Sequence, residues 1–319
     1  MHGKVRRLSS AALARVEFDR EQFKRWARRL NAVLIPSGVV ALLYWAAHEQ
    51  AIPLRDDLDL SLIGGLVLSL ISFVAYAMRF RLALRIAGAP IGITAAIKLN
   101  ALTMFYRFFI PLALGAELTR YLKLRGLLPT TSTRTMVTGI ALDHLLGTVA
   151  LLAISTTLMI ALQPFDVQIE WLELGLLGLG LSLFLAYAAR RFMLPTKSML
   201  GAWLAQARQH LGALAAASLW SLFTQILLAA AVFVGSYRWG VAIDYWKILL
   251  VLTGSFLLQL VPISLVGIGA ADLAGTGLYV ALGLSVAEAV LLVSLMYCYR
   301  IVIAVIGGLW DLLARTHRV

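Results

Sequence analysis

Long apolar stretches separated by short polar segments dominate the pattern of this chain. A helix that crosses the hydrocarbon core of a bilayer needs about 20 predominantly apolar residues, and six stretches come close to that length. The pattern therefore predicts an all-α, polytopic membrane protein with about six full spans. The predicted spans are residues 31–48, 60–78, 135–162, 172–189, 213–236 and 287–312.

Two further apolar regions, residues 94–126 and 246–282, are interrupted near their middles by proline and glycine. Proline lacks a backbone donor and its ring clashes with the preceding turn, so a helix is expected to break there. Broken backbone at membrane depth is tolerated only where it is buried in protein or lines a wet cavity. We therefore interpret the interrupting residues as structural hinges. They are Pro111 and Gly115 in the first region and Pro262, Gly267 and Gly269 in the second.

The composition agrees with a membrane protein and excludes other classes. Of the 319 residues, 61% are hydrophobic and 14% are charged, and the mean hydropathy is +0.87, whereas soluble domains average about 45–50% apolar and about 25% charged residues. A net charge of +12 often indicates a nucleic-acid partner, but here the basic residues lie between apolar stretches, so no such partner is expected. The single cysteine, Cys298, excludes an intrachain disulfide and a cysteine-based metal site. No cofactor is expected.

The distribution of charge predicts the topology, because loops rich in Lys and Arg face the cytoplasm. Residues 1–30 carry nine such residues and are expected to form a basic amphipathic segment on the cytoplasmic side, whereas residues 49–59 carry four acids and one arginine and are expected outside. The segment that follows residue 78 carries Arg79, Arg81 and Arg85 and is expected inside. Continuing along the chain places both ends of 94–126 on the cytoplasmic side and both ends of 246–282 on the outside. Each of these regions is therefore predicted to be a re-entrant helical hairpin, and both termini are predicted to be cytoplasmic.

The same order of elements occurs twice. Residues 31–162 and residues 163–319 each contain a span, a second span, a hairpin and a third span. The first set starts inside and the second starts outside, which is the pattern of an inverted-topology repeat. In transporters, broken helices at corresponding positions of the two halves are the best sequence indication of the substrate site. Functional groups are therefore expected around the two hairpins.

Several charged residues lie inside or near the apolar segments of the first half. A charge at the centre of a bilayer costs about 2.5–3.5 kcal/mol, so such residues usually face a cavity and pair with one another. Glu117 and Arg120 are three residues apart and share a helix face. They are interpreted either as part of a substrate site or as a static salt bridge that holds the hairpin. Asp143 and His144 likewise belong to such a site or form an ordinary pair at the membrane interface.

Arg300 lies in the middle of the last predicted span, too far from either interface to snorkel easily. Its expected partner is Asp272, Glu117, Asp143 or a bound phosphate, and the alternative is a purely structural role. Arg107, on the entering arm of the first hairpin, is interpreted either as a headgroup contact or as a snorkelling residue.

Two short motifs resemble a known family, the lysylphosphatidylglycerol synthase transmembrane-region family. Its first signature, N…PxxxGxExxR, is matched by Asn100, Pro111, Gly115, Glu117 and Arg120. The segment from Pro262 to Asp272 resembles its P-I-S…G-x-G-x-x-E motif, and Arg300 stands where the family tends to carry an arginine. The resemblance covers about residues 25–315.

This resemblance implies a stand-alone integral protein of the bacterial inner membrane, similar to the flippase half of lipid aminoacylation proteins. The synthase domain of those proteins is absent from the chain, so aminoacylation is not expected. Three departures point to a different headgroup or coupling scheme. Asp272 replaces a glutamate, Asp143-His144 replaces an acid–arginine pair, and Leu112 follows Pro111 where glycine is common.

The resulting hypothesis is that the chain translocates a phosphate-containing lipid through a polar cavity at the membrane midplane, with Glu117, Asp272 or His144 as the candidate carrier of a coupling proton. The expected partners are membrane lipids, either an anionic phospholipid or a polyprenyl-phosphate-linked lipid, and a homo-oligomer is left open. The alternative is a secondary transporter of a small soluble ion or metabolite. An enzyme is not expected, since no set of nucleophile, base and orienting group is recognisable. The predicted substrate-binding residues are Asn100, Arg107, Glu117, Arg120, Asp143, His144, Asp272 and Arg300.

Overall fold

The computed structural model describes residues 60–109, 113–163, 209–258, 264–265 and 268–316, and these residues are predominantly helical. The first four helices are α1 (Leu60–Ala87), α2 (Ile93–Phe109), α3 (Ala113–Leu127) and α4 (Thr133–Leu162). They are followed by α5 (Leu211–Ser236), a 3-10 turn (Tyr237–Trp239), α6 (Tyr245–Leu258), α7 (Ala270–Ala281) and α8 (Val286–Thr316). The predicted spans 31–48 and 172–189, the basic segment 1–30 and the predicted hinges Pro111, Pro262 and Gly267 lie outside the described residues.

Among the described residues, α1, α4, α5 and α8 are long and apolar enough to cross a membrane. Large apolar side chains cover the outward faces of these helices, as expected where lipid replaces water as the surrounding medium. Examples are Val67, Ile71, Leu219, Phe223, Val302 and Val305. The predicted helical membrane class is therefore confirmed, while the number of six spans and the re-entrant geometry remain predictions.

Helix α1 is longer than the predicted span 60–78, because it continues to Ala87. Arg79, which the charge pattern assigned to a cytoplasmic loop, therefore lies inside the helix and is buried. The helix ends where Gly88 adopts a positive φ of 88° and the amide of Ala89 bonds back to the carbonyl of Leu84. A left-handed residue of this kind, usually glycine, commonly terminates a helix.

Side-chain caps fix the starts of two long helices. The Ser132 hydroxyl accepts a hydrogen bond from the amide of Thr135 at the start of α4, at 3.1 Å. At the start of α8, the amide of Ser285 donates to the Glu288 carboxylate at 2.8 Å, and the amide of Glu288 donates to the Ser285 hydroxyl at 3.3 Å. This reciprocal capping box satisfies amides that the helix itself leaves unpaired.

Each predicted hairpin region forms two helices that pack on each other, α2 with α3 and α6 with α7. Gly115 lies in the first turn of α3, after the interruption rather than within it. In the second region the chain reverses through a two-residue antiparallel pair, in which Ser264 faces Gly269 and Leu265 faces Ile268. This short β pair was not expected. Because Pro262 and the nearby glycines disfavour a helix there, the backbone groups pair across the turn instead.

The contacts between helices follow the same order in both halves. Helix α1 packs along α5, and the Ser72 hydroxyl donates to the Thr224 carbonyl at 2.9 Å. Helix α8 packs on α2, the entering arm of the first hairpin, and α4 packs on α6, the entering arm of the second. Suppose that each of the first four helices is exchanged with its counterpart among the last four: α1 with α5, α2 with α6, α3 with α7 and α4 with α8. The same pairs of helices are then in contact. Such an exchange is what a pseudo-two-fold axis between two repeats would produce.

Candidate functional site

Three charged side chains from three helices meet in the interior of the first half. Arg79 on α1 donates through Nε to Asp143 Oδ1 on α4 at 2.7 Å, and Arg120 Nη1 on α3 lies 3.5 Å from Asp143 Oδ2. Their relative exposures are only 5%, 0% and 1%, respectively. A buried charge is tolerated only when it is paired and hydrogen-bonded. We call Arg79, Arg120 and Asp143 the buried ion core.

Aromatic rings of α1 enclose the two guanidinium groups of this core. The Tyr76 hydroxyl accepts a hydrogen bond from Arg120 Nη2 at 2.6 Å. Arg79 Cζ lies 4.8 Å from the centre of the Tyr76 ring, and Arg120 Cζ lies 4.7 Å from that of Phe80. Arginine over an aromatic face gains cation–π attraction, most of all away from water. The core is therefore held by packing as well as by charge.

Glu117 connects the buried ion core to a more accessible surface. Its Oε2 atom lies 3.3 Å from Arg120 Nη1 and 3.3 Å from His144 Nε2, and its Oε1 atom lies 3.6 Å from a terminal nitrogen of Arg107. The Arg107 and His144 side chains are 50% and 47% exposed. Glu117 and Arg120 thus share one face as predicted. His144 and Asp143, which are adjacent in sequence, contact different partners because neighbouring helical residues point about 100° apart.

A second cluster lies in the other half and contains Asp272, Tyr297, Arg300 and Phe256. The Tyr297 hydroxyl donates to Asp272 Oδ2 at 3.4 Å, and Asp272 is buried in the first turn of α7. Helix N-termini favour an anion at this position. Arg300, on α8, is partly exposed, stacks 4.8 Å from the centre of the Phe256 ring and interacts electrostatically with Asp272.

Arg107 links the two clusters. It contacts Glu117 in the first half and interacts electrostatically with Arg300 and Tyr297 in the second. Two arginines from different halves, both at least partly exposed, therefore carry like charges that act on each other. Like charges repel, so an anion placed between Arg107 and Arg300 would relieve an unfavourable interaction.

The two clusters also correspond in position. His144 is the twelfth residue of α4, and Tyr297 is the twelfth residue of α8. Each contacts the carboxylate of the returning helix in its own half, His144 that of Glu117 and Tyr297 that of Asp272. Each half thus places an aromatic side chain with a polar atom, His144 or Tyr297, against a carboxylate at a matching position. The arginines do not lie at matching positions.

The interior beside Asp272 is closely packed in this structure. A small cavity beside Asp272 has room for about one water molecule. Its other walls include Val251, Leu252, Phe256, Val293 and Met296. Asn100, another predicted site residue, is 1% exposed, and within the described part of the chain neither its amide nitrogen nor its amide oxygen has a hydrogen-bond partner.

Sequence reasoning did not select Arg79 or Tyr76, although both contact the predicted site residues. A signal was present, because Ser69, Ser72, Tyr76 and Arg79 recur every three or four residues along an otherwise apolar helix. That spacing places them on one face of α1. In the described part of the chain, no group of three or more His, Cys, Asp or Glu residues could hold a metal ion.

Comparison with known proteins identifies one family. The family described as "Lysylphosphatidylglycerol synthase TM region" matches residues 10–309. No curated protein and no solved structure matches the chain.

Proposed function

The chain belongs to the lysylphosphatidylglycerol synthase transmembrane-region family, and from this membership we propose that it moves a phosphate-containing lipid across the bacterial inner membrane. The headgroup would pass between the two hairpins while the acyl tails stay in the bilayer. The matching contacts of the two halves support an inverted repeat, the architecture on which many transporters rely for alternating access. We propose translocation only, with no chemical change to the lipid.

The observation that carries this proposal is that Arg107, which contacts Glu117 in the first half, and Arg300, in the second half, are both at least partly exposed. The two side chains also interact electrostatically with each other. Arginine presents a planar fork of donors that suits the oxygens of a phosphate. Arg120, by contrast, is 1% exposed and is already paired with Glu117, Asp143 and Tyr76. We therefore assign the headgroup contact to Arg107 and Arg300, and give Arg120 the role of positioning Glu117.

The charge balance of the site indicates the class of headgroup. Among the arginines and carboxylates of the two clusters, four arginines stand against three carboxylates, which leaves a surplus of one positive charge. A phosphodiester without a compensating ammonium group, as in phosphatidylglycerol, carries one negative charge and restores neutrality. A lipid with a net positive headgroup would add to the surplus. The residues counted are Arg79, Arg107, Arg120 and Arg300 against Glu117, Asp143 and Asp272.

A transport assay in proteoliposomes tests this assignment. The initial rate at which a fluorescent phosphatidylglycerol crosses the bilayer is compared with that of the zwitterionic phosphatidylcholine analogue. We expect faster movement of phosphatidylglycerol, and a loss of roughly ten- to a hundredfold in Arg107→Gln and in Arg300→Gln, because a charge-assisted hydrogen bond contributes about 1.5–3 kcal/mol. Arg125→Gln is the matched control, since Arg125 is exposed and contacts only Tyr121 and Thr133 in the described part of the chain.

Two results would contradict the proposal. Unchanged rates in both variants would remove Arg107 and Arg300 from the site. Uptake of soluble glycerol phosphate without lipid movement would favour the alternative, a secondary transporter of a small soluble anion.

A further inference from the structure

A group of polar side chains ties the two halves together away from both clusters. Lys123 Nζ, near the end of α3, lies 2.5 Å from Asp311 Oδ1, in the last turns of α8. The Tyr106 hydroxyl of α2 donates to Asp311 Oδ2 at 3.3 Å. Both arms of the first hairpin are thus joined to the last helix of the second half through one carboxylate. We call Lys123, Tyr106 and Asp311 the Asp311 tie.

Close packing surrounds this tie. A Cβ atom added at Gly307 would come within 2.8 Å of the backbone of Ala101 and Leu102, and one added at Gly308 would lie 2.5 Å from the Phe105 ring. The absence of side chains at these glycines is what allows α8 to approach α2 so closely. Lys98 Nζ adds a cation–π contact, 5.8 Å from the ring centre of Trp310. No gap for a headgroup is left between α2 and α8 at this level.

The Asp311 tie lies at one end of the proposed headgroup site. Tyr106 precedes Arg107 on α2, and Asp311 follows Arg300 by eleven residues on α8, roughly 16 Å along the helix axis. A headgroup that approached Arg300 along α8 from this end would meet the tie first. The positive-inside rule places this end, with Lys123 and Arg125, on the cytoplasmic side.

We propose that the Lys123–Asp311 pair is a latch that closes the headgroup site towards the cytoplasm and must break for lipid to enter or leave on that side. The proposal rests on the proposed function for its role in transport. In this structure the latch is closed, in agreement with the tightly packed interior around Asp272.

The chemistry of the tie suits a reversible contact. The Lys123 side chain is 41% exposed, so water competes for its ammonium group. Asp311 is only 11% exposed, but it keeps the hydrogen bond from the Tyr106 hydroxyl when the ion pair breaks. The corresponding contact between α4 and α6 is of another kind, a hydrogen bond between the buried hydroxyls of Ser155 and Thr253 at 2.8 Å. Its loss would leave the buried Ser155 hydroxyl without this acceptor, which is costly. Opening is therefore easier at the Asp311 tie.

A distance measurement tests the latch without requiring transport. Spin labels on Leu122→Cys in α3 and Leu309→Cys in α8, both exposed positions, report the separation of these helices in nanodiscs, with Cys298→Ala removing the native thiol. In the doubly labelled protein with Asp311 intact, we expect one short distance between the labels. In Asp311→Asn we expect this distance to be longer and its distribution to be broader. The charge swap Lys123→Asp with Asp311→Lys should restore the short distance. Asp244→Asn, which breaks the exposed Asp244–Lys247 pair, is the control and should change nothing.

A cross-linking experiment tests the role of the latch in transport. Lys123→Cys and Asp311→Cys are joined by a short reducible cross-linker, and lipid movement is measured before and after reduction. We expect at least a tenfold lower rate in the cross-linked protein and recovery on reduction. An unchanged distance in Asp311→Asn, or unimpaired transport while cross-linked, would overturn the latch. If no variant moves lipid at all, the proposed function fails, and the spin-label distances still decide whether the latch exists.

Discussion

Arg79 and Asp143 are 64 residues apart in the chain, yet Arg79 Nε donates to Asp143 Oδ1 at 2.7 Å in a site from which water is almost wholly excluded. Asp143 also forms an ion pair with Arg120. A single carboxylate therefore holds two arginines of two other helices in place. The stability of the first half depends on this one side chain more than on any exposed ion pair.

The first prediction concerns that carboxylate. Asp143→Asn leaves two buried guanidinium groups without their common counter-charge, and removing one partner of a buried ion pair typically costs about 3–5 kcal/mol. We expect a large drop in thermal stability, measured by tryptophan fluorescence or by aggregation in detergent. Asp244→Asn, at an exposed pair, should shift the transition by no more than a surface substitution does. Equal stability of the two variants would contradict the structural role of the core.

The second prediction isolates the hydrogen bond between Tyr76 and Arg120. Tyr76→Phe keeps the ring that stacks on Arg79 but removes the hydroxyl that accepts from Arg120 at 2.6 Å. Hydrogen bonds to charged groups contribute about 1.5–3 kcal/mol, so we expect a loss of that size in unfolding free energy. Tyr121→Phe is the matched control, because its hydroxyl is exposed and its loss should have little effect. The prediction is wrong if the two substitutions destabilise the protein equally.

The third prediction tests the close approach of α2 and α8. Gly307→Ala would place a methyl group 2.2 Å from the Ala101 carbonyl oxygen, which forces the helices apart. Overpacking of this kind costs about 1–3 kcal/mol. Gly277→Ala is the control within α7, where an added Cβ meets no atom within 4 Å, and alanine there should be neutral or stabilising by up to about 1 kcal/mol. The effects of both substitutions are measured as thermal stability in detergent. If Gly307→Ala leaves the stability unchanged, the tight contact between α2 and α8 is ruled out.

The fourth prediction separates binding from turnover at Arg300. Asp272→Asn removes the negative charge that acts on Arg300, so the arginine should hold an anionic headgroup more tightly. We expect affinity for phosphatidylglycerol to rise about fivefold, on the order of 1 kcal/mol, while the rate of lipid movement falls because release becomes slower. Native mass spectrometry of bound lipid and the transport assay measure the two effects. Weaker binding in Asp272→Asn would mean that the carboxylate itself contacts the headgroup.

Local spacing predicted one contact correctly. The three-residue interval between Glu117 and Arg120 placed both side chains on one helix face, and they lie 3.3 Å apart in the structure. The helical character of both hairpin regions also followed from the apolar pattern, since prolines and glycines mark where each pair of helices must be interrupted.

Long-range partners could not be predicted in the same way. Nothing in the sequence links Arg79 to Asp143, because their contact depends on how α1 packs against α4. Arg79 was assigned to a loop since arginines near the end of an apolar stretch usually mark topology. What distinguished Arg79 was the polar stripe that it shares with Ser72 and Tyr76. Tyr76 follows Ser72 by four residues, and Arg79 follows Tyr76 by three. A stripe of this kind indicates a helix face buried against other polar groups rather than against lipid.

The buried ion core also constrains how the protein is made. During synthesis Arg79 enters the membrane 64 residues before Asp143 exists, and a lone charge at depth is unfavourable by about 2.5–3.5 kcal/mol. Helix α1 therefore carries an unpaired charge until its pairing with α4 neutralises it. We expect α1 to reach its final position only after α4 emerges and supplies the carboxylate. The first four described helices are thus expected to enter the bilayer as one cooperative unit.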